Sequence, residues 1–402
     1  MKNIKSQFPF LMNNPDVVYF DSAATSLKPD KVIDAVRYFY TNLSSNIHRG
    51  EYASSLKTEG FYEGVREKVG SFFNVSDKDV VFTKNASESL NMIATGFLRN
   101  ILEKDDVILL NEAEHASNIL PWYKIAEEKQ AHVVFMPLVD GRVDLEILES
   151  HLKKGVKLMS IAHVSNVVGV IQDIEAISKL THQYDTYLSV DGAQAVGHFE
   201  IDLAQLNPDF YSFSAHKMFG PSGVGVLISK HEIYEKMTPL HYGGGSNTRF
   251  DVLGNVTLKE IPYRFESGTP NLEGVLGFGA ALDFIEDIGI SNIEANENNL
   301  KQYLLDGIMK MDHLEVYNPY TDVGLVSFNV KGIHSQDVAF YLNHHNISVR
   351  SGNHCAKLMH GVLHTEDAVR LSLSVYNTRE DIDRFLDVIR DITLEKTVDL
   401  YI

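Results

Sequence analysis

The sequence predicts an α/β protein, with a large domain built on a mostly parallel sheet and a smaller α+β domain after it. Three observations carry that expectation. Short β-rich runs alternate with helical stretches through the first two thirds of the chain, which implies crossover connections and a sheet covered on both faces. A long helical stretch, from about Gly274 to Leu305, then interrupts the alternation. Beyond it the strands and helices follow a different pattern, so the expected boundary lies near residue 288. The large domain is 16–288, and 1–15 with 289–402 form the small one.

In the large domain the strand candidates are DVVFTK (79–84), DVILLN (106–111), HVVFMPL (132–138), KLMSIAHVS (157–165), YLSVDGA (187–193), FYSFSAH (210–216) and GVGVLIS (223–229). Helices are expected from Ser87 to about Asn100 and from Ile119 to Lys129. The small domain offers VGLVSFNV (323–330), a helix from Ser335 to His345, ISVRSG (347–352), VRLSLSVY (369–376) and a last helix from Thr378 to about Leu394. In open sheets of this kind ligands sit beyond the carboxyl ends of the strands, so the polar residues that close these runs matter most.

Composition narrows the function. The 402 residues carry 36 basic and 54 acidic side chains, a net charge of −18, which repels a nucleic-acid backbone. No apolar run reaches the roughly 18 residues that a spanning helix needs, and the start of the chain lacks a secretory h-region, so no membrane association is expected. A single cysteine, Cys355, excludes an internal disulfide and suits a reducing compartment. The expectation is a soluble cytoplasmic protein.

Chemistry concentrates at two strand ends. YLSVDGAQAVGH (187–198) has an apolar run that closes on Asp191, with Gln194 in the turn after it; taken alone, the acid reads more readily as a helix cap. The next strand closes on Ser214, His216 and Lys217, with apolar Phe213, Met218 and Phe219 around the lysine. Desolvation lowers the pKa of a lysine so placed and makes its amine a nucleophile toward aldehydes. An aspartate beside it is what a pyridinium nitrogen needs to stay protonated, so the pair reads as a pyridoxal phosphate site. The turn Asn85-Ala86-Ser87-Glu88-Ser89 opens a helix and offers Ser87 and backbone N–H groups to an anion, with Ser214 and His216 aimed at the same phosphate. His115 and Asn166 also follow strands, and fit a ring plane and a polar contact to cofactor or substrate. Cys355 lies in VRSGNHCAKLMHG (349–361), near Arg350 and beside His354, where cationic neighbours favour the nucleophilic thiolate. Arg370 offers a planar fork to a carboxylate.

The motifs DSAAT (21–25), SNIHRG (45–50), EHASNILPW (114–122), SNVVG (165–169), VDGAQAVGH (190–198), SAHKMFGPSGVGVL (214–227), GGGS (243–246), FESGTPN (265–271) and RSGNHC (350–355) occur in order. Together they resemble the class V aminotransferase-like cysteine desulfurases, specifically the SufS-like group II. The resemblance implies a pyridoxal 5′-phosphate-dependent transferase of fold type I. It gives Lys217 the covalent hold on the cofactor, Asp191 the ring nitrogen, Gln194 the ring hydroxyl and His115 the ring face. Ser87, Ser214 and His216 would bind phosphate, joined by Thr269 of a second subunit in a homodimer. Asn166, Arg370 and Arg350 would hold L-cysteine, with Ala24 of DSAAT, His48 and Arg49 lining the entrance. Cys355 would take the sulfur as a persulfide, releasing alanine, and His115 would carry the substrate thiol proton. A SufE-like or SufU-like acceptor would receive the sulfur, for iron–sulfur cluster assembly or tRNA thiolation.

Three positions depart from that pattern: Ala86 where a hydroxyl is usual, Asn353 where a histidine is usual, and no proline after the cysteine. Selenocysteine lyase or cysteine sulfinate desulfinase activity fits the same residues. A non-catalytic sulfur-relay scaffold is disfavoured by the presence of Lys217, Asp191 and Cys355 together.

Overall fold

The structure is a computed structural model and describes residues 4–47 and 50–401. Seven strands form the large sheet: β1 (Val80–Thr83), β2 (Val107–Leu110), β3 (His132–Phe135), β4 (Leu158–Ala162), β5 (Tyr187–Asp191), β6 (Phe210–Ser214) and β7 (Gly225–Ser229). Their order is β1-β7-β6-β5-β4-β2-β3. The pairs from β6 through to β3 are parallel, whereas β7 runs antiparallel to both β1 and β6. Every residue of β4, β6 and β7 is buried, which is why these runs read as continuous apolar stretches rather than alternating ones.

One face is closed by the helix Leu272–Ile288, which packs on Asp30–Tyr38 and Ala53–Phe72. Its glycines allow that approach. A Cβ at Gly277 would lie 2.8 Å from Val36 Cγ2, and one at Gly279 would lie 2.5 Å from Val65 Cγ2. The helical stretch expected as continuous to Leu305 is broken at Gly289, whose φ of +85° is left-handed, and a second helix runs from Ile290 to Ile308. The helix expected from Ser87 starts at Ala86 and passes through a π-helical segment, Ile93–Leu98, before ending at Ile101.

A four-stranded antiparallel sheet follows, in the order Leu314–Val316, Leu325–Val330, Ala368–Ser372, Arg350–Gly352. Val18–Tyr19 pairs in parallel with Ile347–Ser348 as a separate two-stranded sheet, and an isolated bridge from Asp21 to Ser372 ties the start of the chain to the four-stranded one. The amino-terminal arm meets distant parts of the chain. Lys5 pairs with Asp381 at 2.7 Å, and Phe8, fully buried, finds its aromatic partners in Phe219, Phe284 and Tyr376. That ring belongs to the larger apolar cluster, which also buries the helices and strands of the seven-stranded sheet. Among the described residues no helix is long and apolar enough to cross a membrane.

Candidate active site

Asp191 ends β5 and Ser214 ends β6, so both project from the same edge of the sheet. Lys217 lies past the strand, in the 3-10 turn Ala215–Lys217, and not in the strand itself. The Ala215 carbonyl closes this turn by accepting the N–H groups of Met218 at 3.0 Å and Gly220 at 2.9 Å. Burial pulls the lysine down to about 8, opposed by the negative charge of Asp191. Asp191 is itself buried, which raises its carboxyl above the ordinary range, and it accepts the Ala193 N–H at 3.0 Å.

Both residues line a cleft of about 250 Å³ whose other walls come from separate parts of the chain. The corner nearest the Ala86 helix is polar. Ser214 Oγ accepts the Ala86 N–H at 2.8 Å, Ser87 Oγ meets Ser117 Oγ at 2.6 Å, and His216 faces the same space. The helix start adds partial positive charge there. Ser117 was not singled out from sequence; its signal was its place in EHASN, two residues past His115.

His115 caps the turn Ala116–Asn118, and its Nδ1 accepts the Ser117 N–H at 3.1 Å. Burial, with Lys217, Arg350 and Arg370 nearby, lowers it to about 4, so the ring is neutral and carries its hydrogen on Nε2. It therefore presents a donor, and the expected uptake of the substrate thiol proton does not suit the ring as it stands. Gln194 donates Nε2 to the Ala23 carbonyl at 2.9 Å, and Ala24 lines the cleft beside it.

Arg370 is 1% exposed and donates to the Asn166 carbonyl at 3.1 Å and to Asp21 Oδ1 at 3.3 Å. Asp21, which opens DSAAT, thus acts as the counter-charge for this arginine. Asn166 Nδ2 commits one of its two hydrogens to the His354 carbonyl at 2.8 Å, and its Oδ1 has no partner among the described residues.

Cys355 is exposed, in a loop where His354 and Cys355 both adopt left-handed φ values, +52° and +58°. Arg350 Nη2 lies 3.6 Å from its Sγ, and Asn353 Oδ1 accepts the Cys355 N–H at 3.1 Å. Arg350 and His354 line the cleft, which sets the sulfur at its margin. Thr269 is not at this cleft. It takes a bond from Asn46 Nδ2 at 3.3 Å in a second cleft with Lys259, Tyr263 and Gly268. His48 and Arg49 lie outside the described residues.

The class-V aminotransferase family model matches residues 18–385. The chain belongs to that family. Similar class-V proteins include a probable cysteine desulfurase of Halalkalibacterium halodurans, 41% identical over 94% of this chain and 95% of its own. A cysteine desulfurase of Serratia proteamaculans is 35% identical over 96% of both chains. Among solved structures, the apo cysteine desulfurase from Thermococcus onnurineus matches with a TM-score of 0.93 and 37% identity over 97% of each chain. The cysteine desulfurase CsdA of Escherichia coli matches at 0.91 and 33%, covering 99% of this chain and 98% of its own. Within the class-V family, the chain therefore falls among the cysteine desulfurases.

The class-V fold implies pyridoxal 5′-phosphate, and the residues present fit it. Hydroxyl and imidazole groups gather at one corner, and a carboxylate and an amine of lowered pKa lie beyond them. Asn166 Oδ1 and Arg370 Nε, both in the cleft wall, are buried without a hydrogen-bond partner among the described residues. Orphaned buried atoms of this kind are costly unless a ligand completes them.

Proposed function

We propose that this protein takes sulfur from L-cysteine with pyridoxal 5′-phosphate, releases L-alanine and holds the sulfur as a persulfide on Cys355. One observation supports this above others: Asp191 and Lys217 share their cleft with Arg350, whose Nη2 lies 3.6 Å from the Cys355 Sγ at the cleft margin.

When bound, the pyridinium ring supplies an electron sink for the substrate carbon skeleton. Asp191 holds a proton at the ring nitrogen, and Ser87, Ser214 and His216 hold the phosphate. Lys217, whose amine burial brings down to about 8, moves the proton at the substrate Cα. Arg370 fixes the substrate carboxylate and Asn166 Oδ1 accepts from a substrate or cofactor donor, while His115 covers the ring and offers its Nε2–H. The Cys355 thiolate forms an S–S bond to the substrate sulfur as the Cβ–S bond breaks. The electron pair stays on carbon, which takes up a proton equivalent to the one the Cys355 thiol released.

The same reading assigns the SufS-like group II, a homodimer and a SufE-like or SufU-like acceptor. It also takes residues 289–402 as the smaller unit, carrying the cysteine loop to the larger one. Thr269, away from its own chain's cleft, is free to serve the phosphate of a second copy.

Intact-protein mass measurement after L-cysteine without reductant tests the proposal. A one-sulfur adduct on Cys355 is expected in the native chain and none in Cys355→Ala, which still binds the cofactor. No adduct from native protein shown to hold pyridoxal phosphate would overturn it.

A further inference from the structure

The turn Thr25–Lys28 bears on His216 in a way that no role above uses. The His216 carbonyl accepts the Ser26 N–H at 3.0 Å, Ser26 Oγ at 3.1 Å and Lys28 Nζ at 3.0 Å. Ser26 Oγ in turn accepts the Phe219 N–H at 2.7 Å, so its single hydrogen is committed to that carbonyl. A carbonyl oxygen has two lone pairs, and three donors already crowd it.

Thr25 Oγ1 lies 3.1 Å from the same carbonyl and 3.2 Å from His216 Nδ1, and it accepts Lys28 Nζ at 3.1 Å. With the carbonyl saturated, the acceptor left for the threonine hydrogen is Nδ1. Burial, Lys217 and Lys28 lower His216 to about 4, so its ring is neutral and carries one N–H. The position of that hydrogen decides whether the ring attracts or repels an anion.

We propose that Lys28, through Thr25, fixes His216 as the tautomer with its hydrogen on Nε2, so that the residue presents an N–H to the cofactor phosphate. Lys28 and Thr25 are positioning residues in this scheme. Lys28 occupies the threonine oxygen, Thr25 directs its hydrogen to Nδ1, and His216 makes the contact. The inference rests on the reading that this cleft binds pyridoxal phosphate.

The test compares the affinity of the cofactor-free full chain for pyridoxal phosphate and for pyridoxal, which lacks the phosphate. Thr25→Val and Lys28→Met are expected to weaken pyridoxal phosphate roughly tenfold, as for one hydrogen bond to a charged group, and to leave pyridoxal within about twofold. Thr25→Ser, which keeps the hydroxyl, is expected to match the native chain. Nitrogen-15 NMR of the His216 ring is expected to show the hydrogen on Nε2 in native protein. Equal loss of both ligands, no loss of either, or a hydrogen on Nδ1 would overturn the proposal. Failure of the native chain to bind pyridoxal phosphate would overturn the cofactor reading and this inference with it.

Discussion

Ala116 donates its backbone N–H to the Cys355 carbonyl at 2.8 Å, tying the turn that presents His115 to the loop that presents the cysteine. Asn166 Nδ2 adds a second tie through the neighbouring His354 carbonyl. The cysteine loop is thus held by the same strand-end turns that line the cleft, although it is distant in sequence from both.

Ala116→Pro breaks the first tie. Ala116 opens its helical turn and follows a residue with φ −67° and ψ 148°, a setting that accepts proline, but the ring Cδ takes the place of the amide hydrogen and also pushes the Cys355 carbonyl away. Loss of the bond alone costs about 1 kcal/mol, roughly fivefold in rate. Persulfide formation in a single turnover should slow by at least that factor while cofactor binding holds. A rate equal to the native one would show that the tie does not position Cys355.

Lys217 predicts a stability effect in cofactor-free protein. Its amine falls from the ordinary 10.5 to about 8 on folding, chiefly through burial. Between those values the unfolded chain binds more protons, so stability rises with pH there; below about 8 the cost of burying the charge is present in full. Lys217→Met should therefore unfold at higher urea than the native chain at pH 7, by about 1–3 kcal/mol, with the gap closing by pH 10. A less stable variant at pH 7 would contradict this account.

Asp191 and Lys217 stood out in the sequence because each is a charge set among apolar neighbours, where it is conspicuous. That two different sheets follow one another was legible because the pattern of strands and helices changes after residue 288. Gly289 lay inside an otherwise helical pattern, and nothing local marked it as a break rather than a tolerated glycine. Thr25 stood out only as the last residue of DSAAT and Lys28 not at all, because they act on a carbonyl that only the fold brings near. Nor did the pattern around Asn166 show that its amide reaches the His354 carbonyl across the cleft.

Beneath His115 lies Glu114, a carboxylate 1% exposed that accepts Asn118 Nδ2 at 2.7 Å and the Ala162 N–H at 3.0 Å. Burial pushes it up to about 8. The Asn118 oxygen is already taken by Trp122 Nε1 at 3.2 Å and Ser160 Oγ at 2.6 Å, so its NH2 group has to face Glu114. Glu114→Gln sets an NH2 against that NH2 and should cost about 1–3 kcal/mol in urea unfolding. Adding Asn118→Asp restores a donor–acceptor match, since one carboxylate oxygen keeps Trp122 and Ser160 while the other accepts from the glutamine. The double variant should recover most of the loss; additive losses would show that the pair is not coupled.

Asn353, the departure from the family's usual histidine, has a role in the loop. Two successive left-handed residues, His354 and Cys355, cost about 1–3 kcal/mol each unless the surroundings enforce them. Asn353 enforces them from both ends: its side-chain oxygen accepts the Cys355 N–H at 3.1 Å and its carbonyl accepts the Ala356 N–H at 2.7 Å. Asparagine forms such a side-chain turn readily, whereas alanine retains only the backbone bond. In Asn353→Ala the loop should leave this conformation more often, and Sγ with it. Persulfide formation should then slow several-fold at unchanged cofactor binding, and alkylation of Cys355 by iodoacetamide should change rate. Asn353→Ser, whose hydroxyl oxygen can accept the same N–H, should keep most of the native rate. If alanine and serine slow the reaction equally, the side-chain bond is not what holds the cysteine in place.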